Sequence, residues 1–367
     1  MVVVANDTLQ GNRRREIPRQ PGRPATLLDP VEGTLADFLA AQIAALDAVD
    51  PALGGLARTT RDLVLAGGKR LRPTFAYWGW RGVAGPGEPV GPVLPALASL
   101  ELMHTFALVH DDVMDDSATR RGRPTAHRIF AGRHGGSDPA RFGSSAAILV
   151  GDLCLVWADQ LLARTPLPTS TLFAVRSRYD RMRVEAIAGQ YLDILDDSGE
   201  WSVERALLVA RLKTASYTVQ RPLQFGLALT GFVDPQLDEA YAAYGALVGE
   251  AFQLRDDLLG VFGDPAITGK PAGDDLRTGK PTALLLLARR LATPVQLAEL
   301  PVAGETQPPD IARRAAVIAE TGAPAQVERM IQERVASAVA VLASAPIHAD
   351  ARAALIELAV RATQRPA

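Results

Sequence analysis

From about residue 33 to residue 363 this chain reads as one helix after another, and strands are not needed anywhere. Ala, Leu, Arg and Glu dominate, β-branched alternation is scarce, and Gly/Pro breaks fall at 84–92, 131–143, 263–281 and 301–309. The expected helices run roughly over 33–48, 54–66, 71–83, 92–115, 144–164, 170–197, 202–229, 235–262, 282–298, 310–321, 324–343 and 348–363. Several are longer than five turns and apolar on every side. Such helices bury themselves in one another, which predicts an all-α fold: a single bundle of long, mostly antiparallel helices around a deep central cavity. No break reads as a domain linker, and no repeat of fixed period is present. Residues 1–28, polar and rich in Arg, Pro and Gly, read as a disordered tail, leaving 29–367 as one domain.

Composition narrows the class of function. Of 367 residues, 48% are hydrophobic and 22% charged, enough for one large core. A formal charge of −2 argues against a nucleic-acid or anionic-membrane surface as the main partner. Cys154 is the only cysteine, so no intrachain disulfide forms. No apolar run reaches 18 residues without a charge, and the first 24 residues hold no apolar core of signal-peptide length. These features predict a soluble chain, without stable membrane insertion, in a reducing compartment such as the cytoplasm.

One expected helix becomes acidic at its end. Asp111, Asp112 and Asp115 fall within five residues, and Arg120 and Arg121 follow within the next six. A helix turns about 100° per residue, so Asp111 and Asp115 share a face about 6 Å apart. Two carboxylates so placed repel unless a cation lies between them. Mg²⁺ suits them, because it takes oxygen ligands and recruits substrate phosphates to complete its shell. The two arginines supply fork-shaped donors for phosphate. The competing reading is an acidic, solvated helix face. It fits poorly, because the preceding turns (Leu102, Met103, Phe106, Leu108, Val109) are apolar.

Only four of the 39 basic residues are lysine: Lys69, Lys213, Lys270 and Lys280. Lysine is a compact point charge that can crowd a phosphate oxygen beside a metal. Lys69 lies in Gly67-Gly68-Lys69-Arg70-Leu71-Arg72-Pro73. That stretch is either an anion site at a helix N-terminus or a helix end capped by Gly and basic residues. Lys213, with Thr214, interrupts an apolar helix, and it either snorkels or points into a polar cavity. Gln253, Asp256 and Asp257 close the 235–262 helix, and Lys270 and Lys280 follow in a Gly-rich loop. That combination suits a metal site with a phosphate lid, although Asp274, Asp275 and Arg277 read equally well as exposed loop. His104 lies two turns before Asp111 on the same face, whereas His110 carries less weight. Gln190 and Asp193 would line a polar wall, and Asp196 and Asp197 read equally well as a helix-end cluster.

The segments GGKRLRP, HDDVMDDSATRRGRPTAH, GQYLD, LKTAS and QLRDDLLGVFGDPAITGKPAGDDLRTGK occur in a fixed order. As a set they resemble the trans-isoprenyl diphosphate synthase (polyprenyl synthetase) family over about residues 33–363. The resemblance implies the isoprenoid synthase fold, with two Asp-rich motifs facing each other across the bundle and three Mg²⁺ ions between them. It implies that Gly68, Lys69, Arg72, His104 and Arg121 take isopentenyl diphosphate. Asp111 and Asp115, with Asp112, match the first Mg²⁺ ligands, and Asp256, with Asp257, the second. Arg120, Lys213, Thr214 and Gln253 match contacts to the allylic diphosphate or the developing cation. Lys270 and Lys280 close on the diphosphates. Gly260 stands where the fullest second motif has a third Asp, so no ligand role is carried over there. A homodimer packed through long helices is implied as well.

The implied reaction joins isopentenyl diphosphate head to tail with dimethylallyl, geranyl or farnesyl diphosphate. The allylic C–O bond ionises, the double bond attacks the cation, and the released diphosphate takes the proton. Phe106 lies five residues, roughly 7–8 Å, before Asp111 along the helix. With the small Ala107 beside it, it resembles the chain-length floor of geranylgeranyl (C20) synthases; plain core packing is the alternative. One rival is a class I terpene cyclase, whose second metal motif usually needs Asn, and no Asn occurs after Asn12. The other is a non-catalytic partner subunit, which should have lost acidic motifs or lysines; this chain keeps both.

Overall fold

Four helix starts are written in the sequence as an acid or hydroxyl followed by proline: Asp50-Pro51, Asp138-Pro139, Asp234-Pro235 and Thr293-Pro294. In each, the first side chain accepts from a backbone N–H of the opening turn, and proline fills a position whose N–H has no helical partner. The computed structural model describes residues 27–195, 201–232, 234–263, 273, 276–277, 279–300 and 310–363. Nearly all of the expected tail, together with Asp196, Asp197, Lys270, Asp274 and Asp275, lies outside the described residues.

The expected all-α architecture is borne out. The helices are α1 (Leu28–Asp47), α2 (Pro51–Val64), α3 (Leu71–Ala84), α4 (Leu94–Met114), α5 (Ala126–Arg133), α6 (Pro139–Leu162), α7 (Thr169–Ile194), α8 (Val203–Ala210), α9 (Arg221–Leu229) and α10 (Pro235–Phe262). They continue with α11 (Ala283–Leu291), α12 (Pro294–Glu299), α13 (Ile311–Glu320), α14 (Ala323–Ala343) and α15 (Ala349–Thr363). α4 packs on α6, α3 on α9, and α10 on α14. By length and composition α4 (extended to Gly91) and α6 are apolar enough to cross a membrane, yet α4 lies mostly inside the core.

The structure departs from the sequence reading in four places. Thr119–Arg120 and Arg123–Pro124 pair as a two-stranded hairpin. Its two-residue turn, Arg121-Gly122, has φ of 53° and 72°, the mirror-image turn that suits tight hairpins. The expected 202–229 helix divides into α8, a wider π segment over Arg211–Gln220, and α9. Pro222, which has no N–H to give, sits where α geometry resumes. The expected 282–298 helix is broken by the Thr293-Pro294 cap, and α5 occupies a stretch not read as helix.

The π segment is the inner element that matters most for position. It lies between α7 and α10, and glycines permit the close approach on both sides. A Cβ at Gly189 would fall on the Lys213 backbone, and one at Gly249 on Ala215. The end of α4, the lower turns of α7 and the π segment therefore meet.

Candidate active site

Each functional side chain is placed by the end of an element. The last turn of α4 presents Asp111, whose Oδ1 accepts from Lys213 Nζ at 2.9 Å and whose Oδ2 accepts from Arg120 Nη2 at 2.9 Å. Lys213 Nζ also donates to Asp193 Oδ2 at 2.6 Å, and Lys280 Nζ donates to the same oxygen at 2.8 Å. One chain of contacts thus runs from α4 through the π segment to α7 and on to the loop after α10. Four residues far apart in sequence — Asp111, Asp193, Lys213 and Lys280 — come together.

The charges in this chain hold one another in place. Burial alone would push the Asp111 and Asp193 carboxyls up. The lysines beside them win, and both are held below the usual carboxylate range. Burial would likewise lower Lys213, but Asp111 and Asp193 raise it well above the ordinary lysine value. Asp115 closes α4, with its amide on the Asp111 carbonyl at 2.9 Å. Burial and then the Asp111 charge push its carboxyl up. A carboxylate so disfavoured gains from an added cation.

Two further carboxylates of the acidic motifs are held by protein partners. Asp112 is 3% exposed, and both of its oxygens accept from Arg120 Nε, at 2.8 and 2.9 Å. Asp257 is also buried: Oδ1 accepts from Gln253 Nε2 at 3.0 Å, and Oδ2 accepts from the Ala283 N–H at 3.1 Å, where it tethers the start of α11. Both carboxylates expected as ligands are therefore engaged by protein. Asp256, one residue away, is half-buried on the same helix end. Arg255 clamps this end of α10 to Glu328 at 2.6 and 2.7 Å and to the Thr363 carbonyl at 2.6 Å. Among the described residues, no three His, Cys, Asp or Glu side chains converge as a closed metal cage.

A second cluster of cations lies beside the first. Arg72 is buried, with its guanidinium 4.0 Å over the Tyr217 ring and Nη2 donating to Thr218 Oγ1 at 2.8 Å. Tyr217 O–H lies 3.4 Å from His104 Nδ1. Arg121 reaches back from the hairpin turn to the Gly67 carbonyl at 2.5 Å. Gly68 and Lys69 are exposed at the rim. Gly67, His104, Asp112, Arg120 and Arg121 line one cavity of about 680 Å³, counting its open mouth. Thr214 is half-buried beside Lys213. Phe106 is nearly buried, with Ala107 packed at the edge of the same core.

Burial, followed by the nearby charges of Arg72, Arg121, Arg120 and Arg70, holds His104 well below the ordinary imidazole value. The folded chain keeps this ring neutral, whereas the unfolded chain protonates it near pH 6.5. The contribution to stability is therefore present above that value and lost as pH falls below it, by up to about 1.4 kcal/mol per pH unit. Melting temperatures between pH 7 and 5.5 should fall less steeply for His104→Gln than for the parent chain. Equal slopes would mean that His104 takes up its proton in the folded state.

Asp193, Tyr217 and Thr218 are the residues that sequence reasoning missed or underrated. Asp193 was legible only as part of a polar wall, because its lysine partners lie 20 and 87 residues away. Tyr217 and Thr218 sit on a π segment, a register that no sequence period announces. Arg70, by contrast, turns inward from an αL position to Glu101 at 2.6 Å and serves the fold.

The chain is similar to known proteins in sequence and in fold. Residues 55–320 match the polyprenyl synthetase family model. A geranylgeranyl diphosphate synthase of Mycobacterium tuberculosis is 34% identical over 284 residues, covering 76% of this chain and 75% of its own length. A geranylfarnesyl diphosphate synthase of Aeropyrum pernix is 33% identical over 266 residues, or 71% and 78%. Among solved structures, a geranylgeranyl pyrophosphate synthase of Corynebacterium glutamicum, complexed with isoprenyl diphosphate and magnesium, is 43% identical. It superposes with a TM-score of 0.86 over 92% of this chain and 98% of that one.

Proposed function

Because the chain belongs to the polyprenyl synthetase family, we propose that it condenses isopentenyl diphosphate with dimethylallyl, geranyl or farnesyl diphosphate and stops at the C20 product. The observation that carries the reading is the lysine bridge. Lys213 joins Asp111 of the first acidic motif to Asp193, and Lys280, from beyond the second motif, joins the same oxygen. Cations from two distant segments converge on the carboxylates where a diphosphate and its counter-ions would sit.

The donor set fits Mg²⁺. Asp111, Asp115 and Asp256 offer oxygen only, and Lys213 and Arg120 stand where further positive charge is stabilising. When bound, Mg²⁺ would withdraw charge from the leaving diphosphate, and the relative's structure holds magnesium; three ions are the number we propose. Asp112 and Asp257 hold Arg120 and the start of α11 in place, so their part is indirect. Lys213, Lys280 and Arg120 exchange carboxylate for phosphate oxygen as the allylic substrate enters, with Thr214, Gln253 and Lys270 on the same diphosphate. Lys69, Arg72, Arg121, the Gly68 backbone and His104 take the second diphosphate. The allylic C–O bond then breaks, the isopentenyl double bond attacks, and the diphosphate released carries off the proton. No protein base is required.

Incubation with Mg²⁺, isopentenyl diphosphate and farnesyl diphosphate should give geranylgeranyl diphosphate as the main product. Hydrocarbon release would point to a cyclase, and silence to a partner subunit. The two-diphosphate layout supports a synthase over both. We assign this activity to the cytoplasm, where a lone buried thiol such as Cys154 needs no oxidising surroundings.

A homodimer belongs to the same proposal. α6 exposes Phe142, Ile148, Leu149 and Val156, and α7 exposes Phe173, Val184, Ile187, Tyr191 and Ile194. Large apolar side chains on two long helices favour a covered face. Sedimentation should report twice the chain mass, and Leu149→Asp should shift it toward the monomer.

A further inference from the structure

The proposed reaction gives His110 no task, although it adjoins Asp111. Its ring lies on the same face of α4 as Phe106, four residues earlier, and meets that ring edge-on at 4.9 Å and 69°. From there it crosses to α6. His110 Nε2 lies 3.0 Å from the Ile148 carbonyl, and since a carbonyl only accepts, Nε2 carries the hydrogen. Asp152 Oδ1 lies 3.7 Å from the same nitrogen. The seat depends on Gly151, because a Cβ at that position would fall on the imidazole. The ring is thus tethered to a main-chain oxygen of one helix while it braces an aromatic ring on another. Phe106 itself has no polar atom to fix its tilt. Its orientation rests on what stands beside it.

We propose that His110 is a positioning residue for product length. Tethered to the α6 backbone through Nε2, it holds the Phe106 ring at the depth where the growing prenyl chain stops. This rests on the reading of Phe106 as the floor of the chain channel. Because the tether is a backbone carbonyl, the spacing of α4 and α6 sets the tilt of the floor. The small residue at 151 is then a second determinant that never meets the substrate.

The test compares product lengths at matched conversion from farnesyl and isopentenyl diphosphates with Mg²⁺. His110→Ala removes the brace; Gly151→Ala keeps the imidazole but fills its seat. Each is made alone and in a Phe106→Ala background. Phe106→Ala should lengthen the products. His110→Ala should raise the share of products beyond C20 by about fivefold, less than Phe106→Ala itself, since it loosens the floor without removing it. Gly151→Ala should broaden the distribution. Neither should add to the effect of Phe106→Ala, because no ring is left to position. If Phe106→Ala lengthens products while both other variants leave them unchanged, the floor stands and the role of His110 falls. Equal shifts from His110→Ala with and without the Phe106 ring would also overturn it. If Phe106→Ala has no effect, the floor reading fails and takes this inference with it.

Discussion

Replacing Asp111 with asparagine is expected to cut kcat/KM for prenyl transfer by about 10³-fold while leaving the chain folded. The two side chains have the same shape, so the close packing at the end of α4 survives. What changes is charge. Asp111 accepts from both Lys213 and Arg120, and an amide keeps an oxygen for one of them but opposes the other with its own donors. Both cations would then meet the incoming diphosphate from a different starting position, with one oxygen ligand missing for the metal. The loss should appear in kcat as well as KM, since the interaction matters most when the C–O bond breaks. Higher Mg²⁺ should recover part of it. Asp112→Asn offers the contrast. That carboxylate is buried against Arg120, so its loss should show in thermal stability at least as much as in rate. Steady-state kinetics across Mg²⁺ concentrations separate the two, and a loss under about fivefold for Asp111→Asn would remove it from the metal site.

The contrast between Asp111 and Asp112 also shows what the sequence could and could not convey. The acidic cluster, its helix and the arginines that follow it were readable from spacing. Which carboxylate Lys213 and Arg120 would meet was not, because adjacent helix positions differ by about 100° and the rotation of α4 is set by its packing on α6. The same holds for Asp256 and Asp257, where α11 claims the second carboxylate through the Ala283 N–H. The scarcity of lysine was a stronger guide than any motif taken singly. Lys213 and Lys280 both reach the site, because a compact ammonium fits between two carboxylates where a guanidinium fork would splay them. Of the helix starts at Asp-Pro pairs, only Pro235 falls at its expected boundary; those at Pro51 and Pro139 lie ahead of the expected 54 and 144, because a local cap outweighs the apolar period that follows it. The hairpin after Thr119 and the π segment were not legible. One depends on two positive-φ residues between strands too short to show a period, and the other on the surroundings that accommodate Pro222.

Lys213→Met should have the second large effect, and it separates what the lysine does for the fold from what it does for the reaction. Without ligand, Nζ sits between Asp111 and Asp193, with only about a fifth of the side chain exposed. Removing it leaves two carboxylates facing a shared gap, though each keeps one partner: Arg120 for Asp111 and Lys280 for Asp193. Breaking a buried pair outright costs about 3–5 kcal/mol, so the retained partners should hold the loss to about 2 kcal/mol. The pH dependence carries the sign of the change. Asp111 and Asp193 are held below the ordinary carboxylate value of 3.8, so their contribution to stability is present above that value and is lost as pH falls below it. In Lys213→Met much of that contribution disappears at neutral pH, and the variant should lose less on acidification than the parent chain. Mg²⁺ with inorganic diphosphate should narrow the gap in melting temperature, because a metal ion can stand between the carboxylates where the ammonium stood. Activity should still fall by about 10²-fold or more, since a hydrated ion cannot reproduce the bond we propose from Nζ to a diphosphate oxygen. Stability recovered without rate is the combined outcome that fits a lysine serving first as counter-ion and then as phosphate ligand. If the variant is as stable as the parent, or if the added ion and diphosphate leave its deficit untouched, the carboxylates beside Lys213 do not form the metal site.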